Sequence, residues 1–439
     1  MDRWLSGALA FAASSHPGAD LGKNAGMNAL IRRLAVLVPL LAAAGCQTWL
    51  TSASLSDDEA PTVQLQTGPA EPQIQAPLAT HKFEFDPQVD DVVGQVQVTR
   101  VQGEDTLSDI ARRFNLGYEE IVRANPGVDP WLPGEGREIV LPTQFVLPNA
   151  PREGLVINLA ALRVFYFPKR KPGELQTVIT HPIGIGKVGW STPEGTTKIT
   201  GRLADPTWYP PRSVRQEYAK RGEKLPAVVP PGPDNPLGRH LMTLGWKSYL
   251  IHGTNKPYGV GMRSSHGCIR FYPEDIAKLF DTIPIGTTVH VVNQPLVFGW
   301  RGDTLYVQAY PVLEDDEREH PDPAQAVLSA ATSDAMWEKI REHNVSLDLE
   351  LVRALTAEGR GIAVPVTRPQ LTVEDFLLAD ARHVENRLPA GANWDGKVEL
   401  MISEEEFEAI RTGAAPPQEG KPATAARIGN GHAGPGSTR

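Results

Sequence analysis

The chain has 439 residues, a net charge of −9, 41% hydrophobic and 22% charged residues. That length allows roughly two to four domains, and the composition is that of ordinary globular material. No Lys/Arg block runs along the sequence to track phosphates, which argues against nucleic acid as a partner. The 39 Pro and 40 Gly favour loops and turns over long helices.

Residues 1–26 read as neither a signal nor a domain, and Met27 makes a better start. Arg32 and Arg33 then supply a positive region, followed by apolar Leu34–Ala44. That run has signal-peptide length and is too short to span a bilayer. Leu41-Ala42-Ala43-Ala44-Gly45-Cys46 resembles the lipobox of bacterial lipoproteins, with Ala43 where Leu is usual. The resemblance implies lipidation of Cys46. Because Gln47 rather than Asp follows, it also implies a periplasmic protein anchored to the outer membrane. A secretory signal with an incidental Cys46 is the other reading of residues 1–46. In the mature chain Cys268 would be a lone free thiol in an oxidising compartment, a liability unless it has a job.

Residues 47–90 are rich in Ala, Pro, Gln, Thr, Ser and Asp and read as a flexible tether. Residues 91–145 read as a small βααβ unit. The expected elements are a strand at Gln95–Val101, helices at Thr106–Phe114 and Tyr118–Ala124, and a strand at Glu138–Leu141. Leu107, Ile110, Ala111 and Phe114 carry the helical spacing. Gly103-Glu104-Asp105-Thr106-Leu107, Asn115-Leu116, Asn125-Pro126 and Leu132-Pro133-Gly134 resemble a LysM domain. The resemblance implies binding of N-acetylglucosamine-containing glycan through the two strand–helix loops, with Gly103, Asp105, Thr106, Asn125 and Pro126 as candidate contacts. Asp105 and Thr106 also suit a helix cap, and a module serving only as a spacer remains open.

Residues 150–294 alternate short β-rich runs with Gly/Pro turns. Strands are expected at Leu155–Asn158, Leu162–Phe167, Val178–Pro182, Thr197–Ile199, Tyr249–His252 and Thr288–Val292. One helix stands out at Pro273–Phe280, opened by Pro273, Glu274 and Asp275. Residues 295–410 read as a mixed extension, with a strand at Thr304–Tyr310 and helices at Met336–Arg341 and Leu347–Leu355. Residues 411–439 read as a disordered tail. No internal repeat is visible.

Acyl transfer by a thiol needs a thiolate, a base and donors for the oxyanion. Cys268 has His252 and His266 near it in sequence. In an extended segment His266 would share a face with Cys268. The loop around Gly259 and Gly261 can fold Cys268 back beside His252. Gly267 lets backbone approach closely, so amides there are candidate oxyanion donors. A thiol paired with an imidazolium ionises below its free value. The residue types alone leave three readings open: a cysteine nucleophile, a metal site, and an inert core cysteine.

His252-Gly253-Thr254, Gly259, Gly261 and Ser264-Ser265-His266-Gly267-Cys268-Ile269-Arg270 together resemble the L,D-transpeptidase catalytic domain. The likeness extends to Gly184-Ile185-Gly186, to the run from Pro206 through Trp208 and Tyr209 to Pro211, and to Leu225–Gly238. Those stretches look like the proteobacterial branch that attaches envelope proteins to peptidoglycan. The resemblance implies a mainly β catalytic domain of sandwich-like fold that needs no metal or other cofactor. It implies Cys268 as nucleophile, His252 as base with the Gly253 carbonyl orienting it, and His266 lining the site. It further implies that Arg270, Ser265, Trp208 and Tyr209 contact a peptidoglycan stem peptide. The reaction implied is attack on the third stem residue, loss of D-Ala, and transfer to an amine of a lysine-bearing envelope protein or of a second stem. Water as acceptor would make a carboxypeptidase or hydrolase. The competing reading is a lipid-anchored tether between membrane and wall with an inactive catalytic fold.

Overall fold

The computed structural model describes residues 75–78, 80–330, 338, 340–368 and 372–398. The expected signal with Cys46, most of the tether and the tail lie outside the described residues. So does most of the expected helix Met336–Arg341.

A nine-stranded mixed sheet organises the β-rich domain. Its order is His81–Phe85, Gln176–Pro182, Arg163–Phe167, Gly154–Asn158, Thr288–Val292, Gly195–Ala204, His240–Leu244, Leu250–His252 and Ile269–Arg270. The central strands are buried on both faces, and alternate residues feed two separate cores. Leu155, Ile157, Val164 and Tyr166 join one core with Ile251, Ile269, Ile276 and Leu279. Val156, Phe165 and Phe167 join the other with Phe85, Phe145 and Val178. The helix Pro273–Thr282 closes the first core through Ile276 and Leu279. Pro273 at its first position and Glu274 and Asp275 in its first turn suit its N-terminus.

The small unit is β-α-α-β: Gln97–Arg100, Leu107–Arg113, Tyr118–Ala124 and Glu138–Leu141. Thr106 and Asp109 form a reciprocal capping box at the first helix. The chain after residue 295 folds as well. It contributes the sheet Leu296–Arg301, Thr304–Ala309 and Val364–Pro365, and the helices Pro323–Ala330, Leu349–Glu358 and Val373–Asp380. Its core includes Val96 and Ala124 of the βααβ unit. Arg382–His383 pairs in parallel with Gln97 and Val98, adding a third strand to that unit's sheet.

One expectation is corrected. His81–Phe85, inside the segment expected to be a tether, is the edge strand of the large sheet and pairs with Gln176–Thr180. Its five residues bury His81 and Phe85 on one face. So short an alternation does not stand out from polar surroundings in sequence.

The βααβ unit and the β-rich domain meet through a buried polar network. Arg163, fully buried, donates to both carboxylate oxygens of Glu120 at 2.6 and 2.9 Å and to the Asn115 carbonyl at 3.0 Å. Asn115 donates to Asp275 at 2.7 Å, and His181 lies 3.2 Å from Asp275. Arg112 forms a two-pronged pair with Glu274 at 2.9 and 3.0 Å. The first amides of the helix Tyr118–Ala124 donate to the carbonyls of Val260 and Gly261 at 3.2 and 3.1 Å. Gly261 must be glycine there. Its φ is +79° and a Cβ would stand 2.2 Å from Gly117 Cα.

Breaking one partner of a buried ion pair leaves an uncompensated charge, at a cost of about 3–5 kcal/mol. Arg163→Met is expected to lower unfolding stability by that order in urea titration. Pairing it with Glu120→Gln is expected to restore part of the loss.

Candidate active site

Two short strands set the site. Leu250–His252 pairs in parallel with Ile269–Arg270, placing Ile251 opposite Ile269 and His252 opposite Arg270. In-register residues of a parallel pair share a face. Ile251 and Ile269 enter the core, so His252 and Arg270 stand on the opposite face. Cys268, just before Ile269, stands on that face as well. Its thiol donates to the Ser248 carbonyl at 3.8 Å. Ser248 has φ +72°, in the left-handed region.

His252 is buried, and its Nδ1 lies 2.5 Å from the Gly253 carbonyl. A carbonyl only accepts, so Nδ1 carries the proton and Nε2 keeps its lone pair. Burial, with the Arg270 cation, lowers the imidazole to about 3, against the Gly253 hydrogen bond. Burial pushes the Cys268 thiol up, while the Leu250 backbone hydrogen bond and Arg270 pull it down. The resting pair is therefore neutral thiol and neutral imidazole. Burial penalises the charged form of each group, and the neutral imidazole is the form that can act as a base.

Arg270 is partly buried. Its Nη1 donates to the Ser264 hydroxyl at 3.1 Å, and Nε has no partner among the described residues. Its charge is felt at His252, His266 and Cys268.

The loop before Cys268 departs from the sequence reading in three ways. Gly267 has φ +99°, so His266 and Cys268 are not related by strand alternation. A Cβ on Gly267 would sit 2.9 Å from the Tyr249 ring, which is why glycine is required. Ser265 is buried, and its hydroxyl accepts from the Gly267 amide at 3.1 Å and donates to the Cys268 carbonyl at 2.5 Å. It shapes the loop rather than facing a ligand. The Gly267 amide is spent on Ser265, and the Gly253 amide on the His240 carbonyl at 3.0 Å. Neither glycine amide is then free for an oxyanion.

His266 points to other partners. Its Nε2 lies 2.8 Å from Glu217, and its ring meets Trp190 edge to face at 4.7 Å between centroids. Glu217 also accepts from Lys187. The sequence reading missed Glu217, Lys187 and Trp190, since nothing in their spacing connects them to Cys268, and it quoted Ser264 in the motif without giving it a role. Glu217 lies on the helix Arg212–Lys220, within the long connection from Gly195–Ala204 to His240–Leu244. Trp208 and Tyr209 begin that flap. Trp208 exchanges backbone hydrogen bonds with Val229 at 2.8 and 2.9 Å, and Tyr209 is exposed.

In the βααβ unit, polar side chains expected to meet glycan are committed internally. Burial alone would raise the Asp105 carboxyl, but Arg113, with Lys397 and Asn386, holds it at about 2. Thr106 caps the first helix. Asn125 bonds both the amide and the carbonyl of Val140, at 2.7 and 2.8 Å, and the Ile121 carbonyl. Gly103 and Pro126 remain on the surface.

Arg270 favours the thiolate of Cys268. Arg270→Gln is therefore expected to raise the thiol pKa and slow iodoacetamide alkylation of Cys268 at fixed mildly alkaline pH. A rate profile against pH checks the direction, with the midpoint moving up.

Comparison with known proteins matches the L,D-transpeptidase catalytic domain to residues 152–291 and the LysM domain to residues 99–142. Three Escherichia coli K12 proteins are similar over longer stretches. The chain is 37% identical over 272 residues to the probable L,D-transpeptidase YcfS, covering 61% of this chain and 82% of the relative. It is 35% identical to the probable L,D-transpeptidase ErfK/SrfK, covering 65% of this chain and 89% of the relative. It is 42% identical to the probable L,D-transpeptidase YbiS, covering 52% of this chain and 74% of the relative. With these similarities spanning both the strand pair that holds His252 and Cys268 and the βααβ unit before it, the chain belongs to the L,D-transpeptidase family, with a mainly β catalytic domain and an N-terminal LysM domain.

Proposed function

We propose that this enzyme is a peptidoglycan L,D-transpeptidase working through a thioester on Cys268. The observation that carries the reading is the parallel pairing of Leu250–His252 with Ile269–Arg270. It gathers a thiol, a neutral imidazole and a guanidinium on one face.

In this reading His252 Nε2 takes the thiol proton as sulfur attacks the carbonyl of the third stem residue. General-base transfer fits a neutral resting pair better than a standing thiolate. The tetrahedral intermediate collapses, the C–N bond to D-Ala breaks, and the proton on His252 passes to the departing amine. An acceptor amine then attacks the thioester, giving a new amide and the free thiol. Arg270 receives a substrate carboxylate, a role suited to a guanidinium. The oxyanion donors lie elsewhere than the Gly267 and Gly253 amides.

The likeness at Pro206–Pro211 and Leu225–Gly238 favours a lysine of an envelope protein as acceptor over a second stem. The LysM domain would hold the enzyme on glycan. We place it in the periplasm, anchored to the outer membrane through Cys46, on the strength of Leu41–Cys46.

Incubation of the chain from Gln47 onward with a disaccharide-tetrapeptide, followed by intact mass spectrometry, tests the half-reaction. An adduct with release of D-Ala is expected, and none in Cys268→Ala. His252→Ala is expected to slow acylation by roughly 10²–10⁴-fold, the usual worth of a general base. Absence of any adduct, with glycan binding retained, would replace this reading with a wall-tethering protein.

A further inference from the structure

The helix Arg212–Lys220 has little apolar hold on the molecule. Among its residues only Val214 is buried, and Glu217 and Tyr218 are partly buried, while the rest are exposed. These three positions form one face at i, i+3 and i+4. An isolated nine-residue helix is marginal in water, so its placement depends on what that face touches. Tyr218 lies near enough to Arg270 to perturb its charge. Glu217 does more. One carboxylate oxygen meets His266 Nε2 at 2.8 Å and the other meets the Lys187 ammonium.

Those two partners come from separate pieces of the site. Lys187 follows Ile185–Gly186, which pairs in parallel with Arg263–Ser265, and its amide donates to the Ser265 carbonyl at 3.0 Å. Trp190, on the same turn, abuts the His266 ring. His266 opens the loop that delivers Cys268.

We infer that Glu217 is a positioning residue, whose carboxylate latches the flap helix to the His266–Cys268 loop and to the Lys187 turn and so fixes the loop for acylation. The inference rests on the proposal that Cys268 is acylated by the stem peptide. Without Glu217, Lys187, His266 and Arg270 would face one another with no counter-charge from the flap. Glutamine at this position could still accept a hydrogen bond from His266 but would leave Lys187 without its ion pair.

The test uses Glu217→Ala and Glu217→Gln in the otherwise intact chain with three readouts. The first is single-turnover acylation by the disaccharide-tetrapeptide, read by intact mass. A loop misplaced by about 1 Å can cost as much as 10²-fold, so roughly tenfold or greater slowing is expected for Glu217→Ala, with a smaller loss for Glu217→Gln. The second is amide hydrogen exchange over residues 212–220, expected to quicken in Glu217→Ala. The third is the imidazole titration of His266 by NMR. Burial, Lys187 and Arg270 lower it while Glu217 raises it, so its midpoint should fall in both variants. Acylation within twofold of the parent would overturn the inference, even if exchange quickened, since that outcome describes a latch without catalytic consequence. Faster acylation would overturn it too. If the parent itself is not acylated, the proposed function fails. Unchanged exchange and an unmoved His266 midpoint would then overturn the latch on their own terms, and changes in both would support it.

Discussion

Strands two and three residues long are weak pieces of sheet, yet the parallel pairing of Leu250–His252 with Ile269–Arg270 decides where the reactive groups sit. One face of the pair is anchored by Ile251 and Ile269 in the main core. The opposite face therefore has no freedom to choose what it shows. It presents His252, Arg270 and, one step before, Cys268. A register slip of one residue would turn the isoleucines outward and the histidine inward. The energy that holds the catalytic face is thus mostly apolar burial on its reverse.

The electrostatics follow from that placement. His252 is buried and Cys268 partly buried, and each is held toward its neutral form. Arg270 adds positive charge beside both, opposing protonation of the imidazole while favouring the thiolate. Such a site keeps its reactivity latent until a carbonyl arrives. The loop from Ser265 to Cys268 is preorganised at the cost of one candidate oxyanion donor, because the Gly267 amide is spent on the Ser265 hydroxyl, which itself donates to the Cys268 carbonyl.

The LysM domain is joined to the catalytic domain more firmly than a binding module on a linker would be. Arg163 reaches Glu120, Asn115 reaches Asp275, and the helix Tyr118–Ala124 donates its first amides to the loop carrying Gly261. The C-terminal extension ties in from the other side. Arg382–His383 extends the LysM sheet, and Asn386 and Lys397 satisfy Asp105. Residues that resemble glycan contacts in sequence are here shared between neighbouring parts of the same molecule.

Much of the element order was legible from sequence. The helix Tyr118–Ala124 and the strands Glu138–Leu141 and Thr288–Val292 lie where local spacing put them, because their apolar periodicity is set by their own residues. Cys268, His252 and Arg270 were legible as a set because they fall in one ordered motif. What the sequence could not show were contacts made across long separations. Glu217 and His266, Arg163 and Glu120, and Asn386 and Asp105 carry no mutual spacing signal. The edge strand His81–Phe85 exists because Gln176–Pro182 offers it a partner. Local pattern fixes which residues form elements and which chemistry is available. Only the folded chain decides which polar groups are left free, since a hydrogen-bonding atom committed to a distant neighbour is no longer offered to a substrate.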